Sequence, residues 1–393
     1  MKRKQILTII IALVMVVSFV ACTQPDPQPQ GQAPAGQQAT PPAANQPPAA
    51  EQPDDWPYRL EPGGRVGVAL TSREFQRWVM CGDNLSAHLE ARGFVPDLQY
   101  GEGDAAAQIA QIENMIATGV GAIIVAPVDS GALTDVLARA REAGVFILNY
   151  DIVVMNSPDV SFFVGYDNWE VGRMQGRYIE EKLGLAEGNG PFNIEVFAGG
   201  LDEAVAYFLF EEAMGVLQPY FDSGQLVVPS GQTDVYTVTI RGWSGALALE
   251  RMENLLMAHY ADGTELHAVL TPSDAIGVPV AQALVNDGFG TADRPFPVVT
   301  ANDSTIGAIQ SIINGHLTMS VFKDTRYLAE RAVDIIETVA NGSMPIPNNT
   351  TDFDNGAIIV PAIAVPSYVV DLSNWEELIL GTDFFTREQL GLN

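Results

Sequence analysis

The sequence predicts an α/β protein of two doubly wound parallel-sheet lobes joined by hinge strands. Three observations predict it: short runs that are apolar throughout, amphipathic stretches between them, and a return of the same series in the second half of the chain. Strands apolar on both faces belong to parallel sheets covered on both sides. Alternation of such strands with segments of helical period is βαβ repetition.

In chain order, RVGVAL (65–70), GAIIVA (121–126), VFILNY (145–150), FNIEVF (192–197), HAVLT (267–271) and PVVT (297–300) read as strands. AAQIAQIENMIATG (106–119), ALTDVLARAREAG (132–144) and ALALERMENLLMAHY (246–260) read as helices between them. The first two of these close on glycine, a helix stop signal. After VSFFVGYDN (160–168) the series starts again at Trp169, which puts a crossover near Asn168. Return crossings are expected near Lys323 and around 352. The first lobe is then 65–168 plus about 324–352, and the second 169–323 plus about 353–393.

Ahead of this body stands MKRKQILTIIIALVMVVSFVA, where Lys2, Arg3 and Lys4 precede an apolar run. That is the charged and apolar pattern of a secretory signal, 1–21; the run is only slightly short of a retained membrane anchor. Ala21-Cys22 resembles a bacterial lipobox, which implies cleavage and lipid on Cys22. Residues 22–55 are nearly all Pro, Gln, Ala and Gly. Such a composition buries too little apolar surface to offset the entropy of ordering, so it is expected to be a disordered tether outside the cytoplasm.

The formal charge of −28, from 20 basic and 48 acidic residues, argues against nucleic acid as a partner, because its binding surfaces must be basic. It also argues against lying flat on anionic lipid. Beyond Cys22 the only cysteine is Cys81; it sits in an apolar-periodic helix and reads as a small buried hydrophobe. No HExxH, GxSxG or GKS/T motif occurs, and His88, His259, His267 and His316 lack metal-ligand spacing. The chain is therefore read as a non-enzyme without cofactor or metal.

Four apolar strands end alike, in IIVAPVD, VFILNYD, VLTPSD and VVTAND, placing Asp129, Asp151, Asp274 and Asp303 just past the strand. Ligands of open parallel sheets bind outside the carboxyl ends of the strands. A carboxylate accepts from two adjacent hydroxyls at once, which suits a vicinal diol. Trp78 and Trp243 offer rings for the apolar face of a sugar. Arg77 and Lys323 offer the cations that buried carboxylates need. Asp129 and Asp274 equally suit helix N-caps.

The segments QRW (76–78), LQYGEGDAAAQIAQIENMI (98–116), YDNWEVG (166–172), GPFNIEVFAGG (190–200), RMENLLMAHY (251–260), TPSD (271–274) and FKDTR (322–326) resemble, in order and spacing, the type I periplasmic sugar-binding proteins of ABC transporters. The likeness is to the xylose and multiple-monosaccharide receptors. It implies two lobes closing on one monosaccharide and delivery to an ABC permease. It points to Arg77, Trp78, Asp129, Asp151, Trp243, Asp274, Asp303 and Lys323 as pocket residues. Asn302 would stand for a family glutamine and Arg73 for a lysine. Two departures matter: Ile152 takes the place of an arginine, and Ala204-Val205 that of an asparagine pair. A pocket so depleted of donors implies an altered sugar or another small polar ligand, such as a nucleoside. Reporting to a signalling partner rather than a permease fits the same resemblance. So would the core of a sugar-responsive repressor, but that needs a basic DNA-binding helix pair where this chain has its leader.

Overall fold

Apolar side chains on both faces of each strand are explained by what covers them. In the computed structural model, which describes residues 56–392, the first sheet is built from β1 (Arg65–Leu70), β2 (Val95–Tyr100), β3 (Ala122–Val125), β4 (Phe146–Tyr150), β5 (Phe162–Tyr166) and a late strand. Helices α1 (Gln76–Ala91), α2 (Ala105–Ala117) and α3 (Thr134–Glu142) connect them. Val66, Val68 and Leu70 of β1 pack in one core with Cys81, Leu85 and Leu89 of α1. Ile123 and Val125 of β3 pack in another with Ile112 and Met115 of α2 and Leu137 of α3. The leader 1–21, Cys22 and the linker 22–55 lie outside the described residues.

The second series starts with α4 (Asn168–Leu183), capped by Asp167, whose side chain accepts from the Glu170 N–H, and ended by Gly184 in the left-handed region at φ 62°. It continues through β6 (Phe192–Val196), α5 (Ala204–Ser223), β7 (Leu226–Val227), α6 (Val235–Val238), α7 (Gly245–His259), β8 (Ala268–Leu270), α8 (Asp274–Asn286), β9 (Val298–Val299), α9 (Ile306–Ile313) and β10 (Met319–Phe322). Its parallel sheet runs β7-β6-β8-β9, and Asn302 bridges Val321 of β10 in parallel. The chain then forms α10 (Thr325–Ala340), whose Leu328, Val333 and Ile336 join the core beneath α1. It closes with β11 (Ala362–Val365) and β12 (Tyr368–Asp371).

The first sheet has the order β11-β5-β4-β3-β1-β2, with every pair parallel. The return expected around 352 therefore comes later. The Ala362 N–H donates to Asn349 O at 2.9 Å, and Phe353 packs on Phe163 with ring centroids 4.5 Å apart. Both hold the 349–365 segment against the first sheet. Only beyond Val365 does β12 cross, to pair antiparallel with β10. Edge strand β2 is half-exposed, and its polar alternation hides it from a search for continuous apolar runs.

Buried amides fix the strand ends that face the cleft. Asn149, fully buried in β4, donates to Val125 O at 3.1 Å and Ile152 O at 2.6 Å and accepts from the Val154 N–H at 2.9 Å. In the second lobe Gln175 of α4 donates to Thr271 O and Ala301 O, both at 3.1 Å. Each amide satisfies backbone groups that a sheet end would otherwise leave buried and unpaired.

Candidate ligand-binding cleft

Side chains from the carboxyl ends of both sheets enclose a cavity of about 340 Å³, near the lower bound for small-molecule sites. The first lobe contributes Arg77 and Trp78 from α1 and Asp151 and Ile152 from the end of β4; Asn168 stands at the start of α4. The second contributes Glu203, Val205, Trp243, Asp274, Asn302 and Asp303, and Lys323 follows β10.

An ion network fixes the polar wall. Arg77 Nη2 lies 2.6 Å from Asp151 Oδ2, and its Nη1 lies 3.4 Å from Asp303 Oδ1. Lys323 Nζ donates to Asn168 Oδ1 at 2.9 Å and sits 3.9 Å from the same Asp303 oxygen. Both cations rest on Tyr166, at 5.6 and 5.3 Å from its ring centre. Burial opposes the charge on Arg77, yet Asp151 and Asp303 hold its pKa well above the ordinary value. Burial lowers the Lys323 pKa against the pull of Asp303. The Asp303 carboxyl is pushed up by burial in spite of both cations. The partners of Arg77 thus more than offset its desolvation, whereas those of Lys323 and Asp303 do not.

Backbone strain concentrates here. Asp151 (φ 63°), Trp243 (φ 54°) and Asp303 (φ 105°) all adopt positive φ, and Ser304 (φ 50°) adjoins them. Non-glycine residues in that region cost of order 1–3 kcal/mol and cluster at ligand sites. Trp243 also needs Gly199: a Cβ there would lie 2.2 Å from its ring.

Several polar atoms of the lining form no hydrogen bond among the described residues: Arg77 Nη1, which has only its ion pair with Asp303, Asp151 Oδ1, Trp243 Nε1, Ser273 Oγ and Asn302 Oδ1. Buried polar groups are almost always paired. Donors and acceptors left facing a common space are what a ligand bearing hydroxyl groups would satisfy.

The sequence reading brings Arg77, Trp78, Asp151, Trp243, Asp274, Asn302, Asp303 and Lys323 to this cavity. Asp274 arrives already engaged, its oxygens accepting from the Thr305 N–H at 2.6 Å and the Ser320 hydroxyl at 2.8 Å. Burial raises its pKa to about 7. Asp129 and Arg73 do not line the cavity. The Asp129 carboxylate accepts from the Gly131 N–H at 2.8 Å, closing its own turn. Arg73 is exposed and pairs with Glu102 at 2.6 Å, where solvent already stabilises its charge.

The periplasmic binding protein domain family matches residues 66–344. The chain belongs to this family. It is 41% identical over 324 residues to the multiple sugar-binding periplasmic protein of Azospirillum brasilense, covering 82% of this chain and 90% of that one. It is 39% identical over 327 residues to the multiple sugar-binding periplasmic receptor of Rhizobium radiobacter, covering 83% and 92%. Among solved structures it resembles an ABC transporter solute binding protein from Clostridium phytofermentans with bound β-D-glucose, at TM-score 0.79 and 38% identity, over 83% of this chain and 99% of that one. The family and these relatives are binding and transport receptors.

In this binding protein it is Ser130 rather than Asp129 that reaches the second lobe from the end of β3. The Ser130 N–H donates to Asp202 O and its Oγ accepts from the Ala204 N–H, both at 3.0 Å and both across the cleft. A lone serine beside a conspicuous aspartate gives no signal in the sequence. Glu203 also escaped the sequence reading, because it lies further past its strand than the other carboxylates. Cys81 is fully buried, its thiol pushed up to about 12 by desolvation.

Proposed function

We propose that the protein is an extracytoplasmic receptor that captures a monosaccharide-like polyol between its lobes and hands it to an ABC importer. The observation that carries this reading is the set of unpartnered, buried donors and acceptors turned into one cavity between tryptophans. Hydroxyl groups both donate and accept, so a polyol ring can satisfy such a mixed set at once. Trp78 and Trp243 offer faces for its C–H bonds. Arg77, Trp78, Asp151, Trp243, Asn302, Asp303 and Lys323 are the proposed ligand contacts, with Asp274 bracing the second-lobe wall. The ligand favours the closed form because only there does it touch both lobes, so binding shifts the open–closed equilibrium.

Lipidation of Cys22 and the linker 22–55 are the proposed anchor and tether. Calorimetry over pentoses, hexoses, deoxysugars and nucleosides tests the receptor reading. At least one sugar is expected to bind with 1:1 stoichiometry; a panel in which only nucleosides bind would reject it. Cys22→Ser is expected to release the protein from membranes, and mass spectrometry of the native N-terminus shows whether lipid is there.

A further inference from the structure

The cavity leaves acceptors open on Asp151 and Asn302 beside the donors of Arg77 and Trp243. Arg77 is spoken for by Asp151 at 2.6 Å and Asp303 at 3.4 Å, and Lys323 by Asn168 and Asp303. Glu203 lines the same cavity, yet no Lys or Arg among the described residues forms an ion pair with it. It occupies the N-cap position of α5 without capping it through its side chain. The Trp243 indole N–H favours the charged form but forms no hydrogen bond of normal geometry. Two further acceptors are left open on the lining: Asp151 Oδ1 and Asn302 Oδ1, on residues 4% and 3% exposed. Burial first, then Asp202, Asp151 and Asp303, push the Glu203 carboxyl well above its ordinary range. Glu203 is half-buried, and its carboxyl faces the cavity without an ion pair to any described Lys or Arg.

We propose that the ligand is an aminated polyol ring, an amino sugar or aminocyclitol, whose ammonium group pairs with Glu203. An ammonium brings three donors and no acceptor, which Glu203 and the open oxygens of Asp151 and Asn302 can accept, and charge-assisted hydrogen bonds are about twice as strong as neutral ones. Trp243 beside Glu203 adds an aromatic face that attracts a cation. Ile152 and Val205 line the remaining space without polar atoms and compete for nothing.

The inference rests on the reading that the cavity takes a polyol ring, and calorimetry separates the two. The wild-type protein at pH 7 is titrated with glucosamine, galactosamine and mannosamine, each against its parent hexose and its N-acetyl derivative. At least one amine is expected to bind about tenfold tighter than its parent and to lose that advantage on acetylation. In Glu203→Gln, shown folded by its melting temperature, the amine-to-parent ratio is expected to fall to about one. Parent hexoses binding as tightly as all three amines, or a preference that survives Glu203→Gln, overturns the amine assignment and leaves the sugar receptor standing. Should neither amines nor any neutral sugar bind, both fall.

Discussion

The two lobes meet the cavity with differently prepared walls. In the first, Arg77 and Asp151 sit at the edge of one sheet and hold each other at 2.6 Å while nearly fully buried. In the second, Asp303 finds its cations only at 3.4 and 3.9 Å, one across the cleft and the other on the strand leading back to the first lobe. Glu203 of the second lobe forms no ion pair with any Lys or Arg among the described residues. One wall is preorganised by its own fold, and the other takes its cations from outside its own lobe. Preorganisation spares a binding site the cost of ordering its side chains on capture. An under-compensated wall gives closure something to depend on.

This contrast breaks most directly at Arg77. Arg77→Met leaves Asp151 buried without its partner, and losing one member of a buried pair costs about 3–5 kcal/mol. Denaturant unfolding of the ligand-free protein measures that loss, and calorimetry is expected to show binding abolished. Asp303→Asn should also weaken binding but cost under about 1 kcal/mol in stability, since its pairing is longer and partly solvated. Equal destabilisation by both would end the distinction between the walls.

Asn149→Ala tests whether the first wall is preorganised by its buried amide. Three hydrogen bonds are lost, leaving Val125 O, Ile152 O and the Val154 N–H unmet. A loss of about 2 kcal/mol is expected, given about 1–3 kcal/mol for an unsatisfied buried group. Affinity should drop with it, because Asp151 shares that loop.

The second wall should carry a pH signature. The native Asp274 pKa is raised to about 7, so between about pH 4 and 7 the folded protein holds a proton that the unfolded chain has released. Stability from this carboxyl therefore falls as pH rises through that window and levels above it. Asp274→Asn is expected to flatten the pH dependence by up to about 1.4 kcal/mol per pH unit. An unchanged slope would show that Asp274 stays ionised.

Smaller effects follow from geometry alone. Gly199→Ala drives a methyl group into the Trp243 ring and is expected to lower affinity about tenfold, or about 1.4 kcal/mol, with little change in melting temperature. Ser130→Ala removes the acceptor of the Ala204 N–H across the cleft. At about 1 kcal/mol for one hydrogen bond, affinity should fall only a few-fold, with faster ligand release.

What the sequence determined by itself was the layered architecture and most of one crevice. Continuous apolar strands require helices on both faces, and residues just past such strands must lie at the ligand edge, so Asp151, Asp274 and Asp303 were legible from local pattern. Arg77, Trp78 and Lys323 followed from their neighbouring motifs. Tertiary structure alone decided which polar groups were already occupied. Asp129 closes its own turn, Arg73 turns to Glu102, and Asp274 is engaged by Thr305 and Ser320. It also kept β11 on the first sheet and left Glu203 without an ion pair to any described Lys or Arg. Pattern along a chain fixes which edge a side chain reaches, whereas pairing depends on distances between segments far apart in sequence.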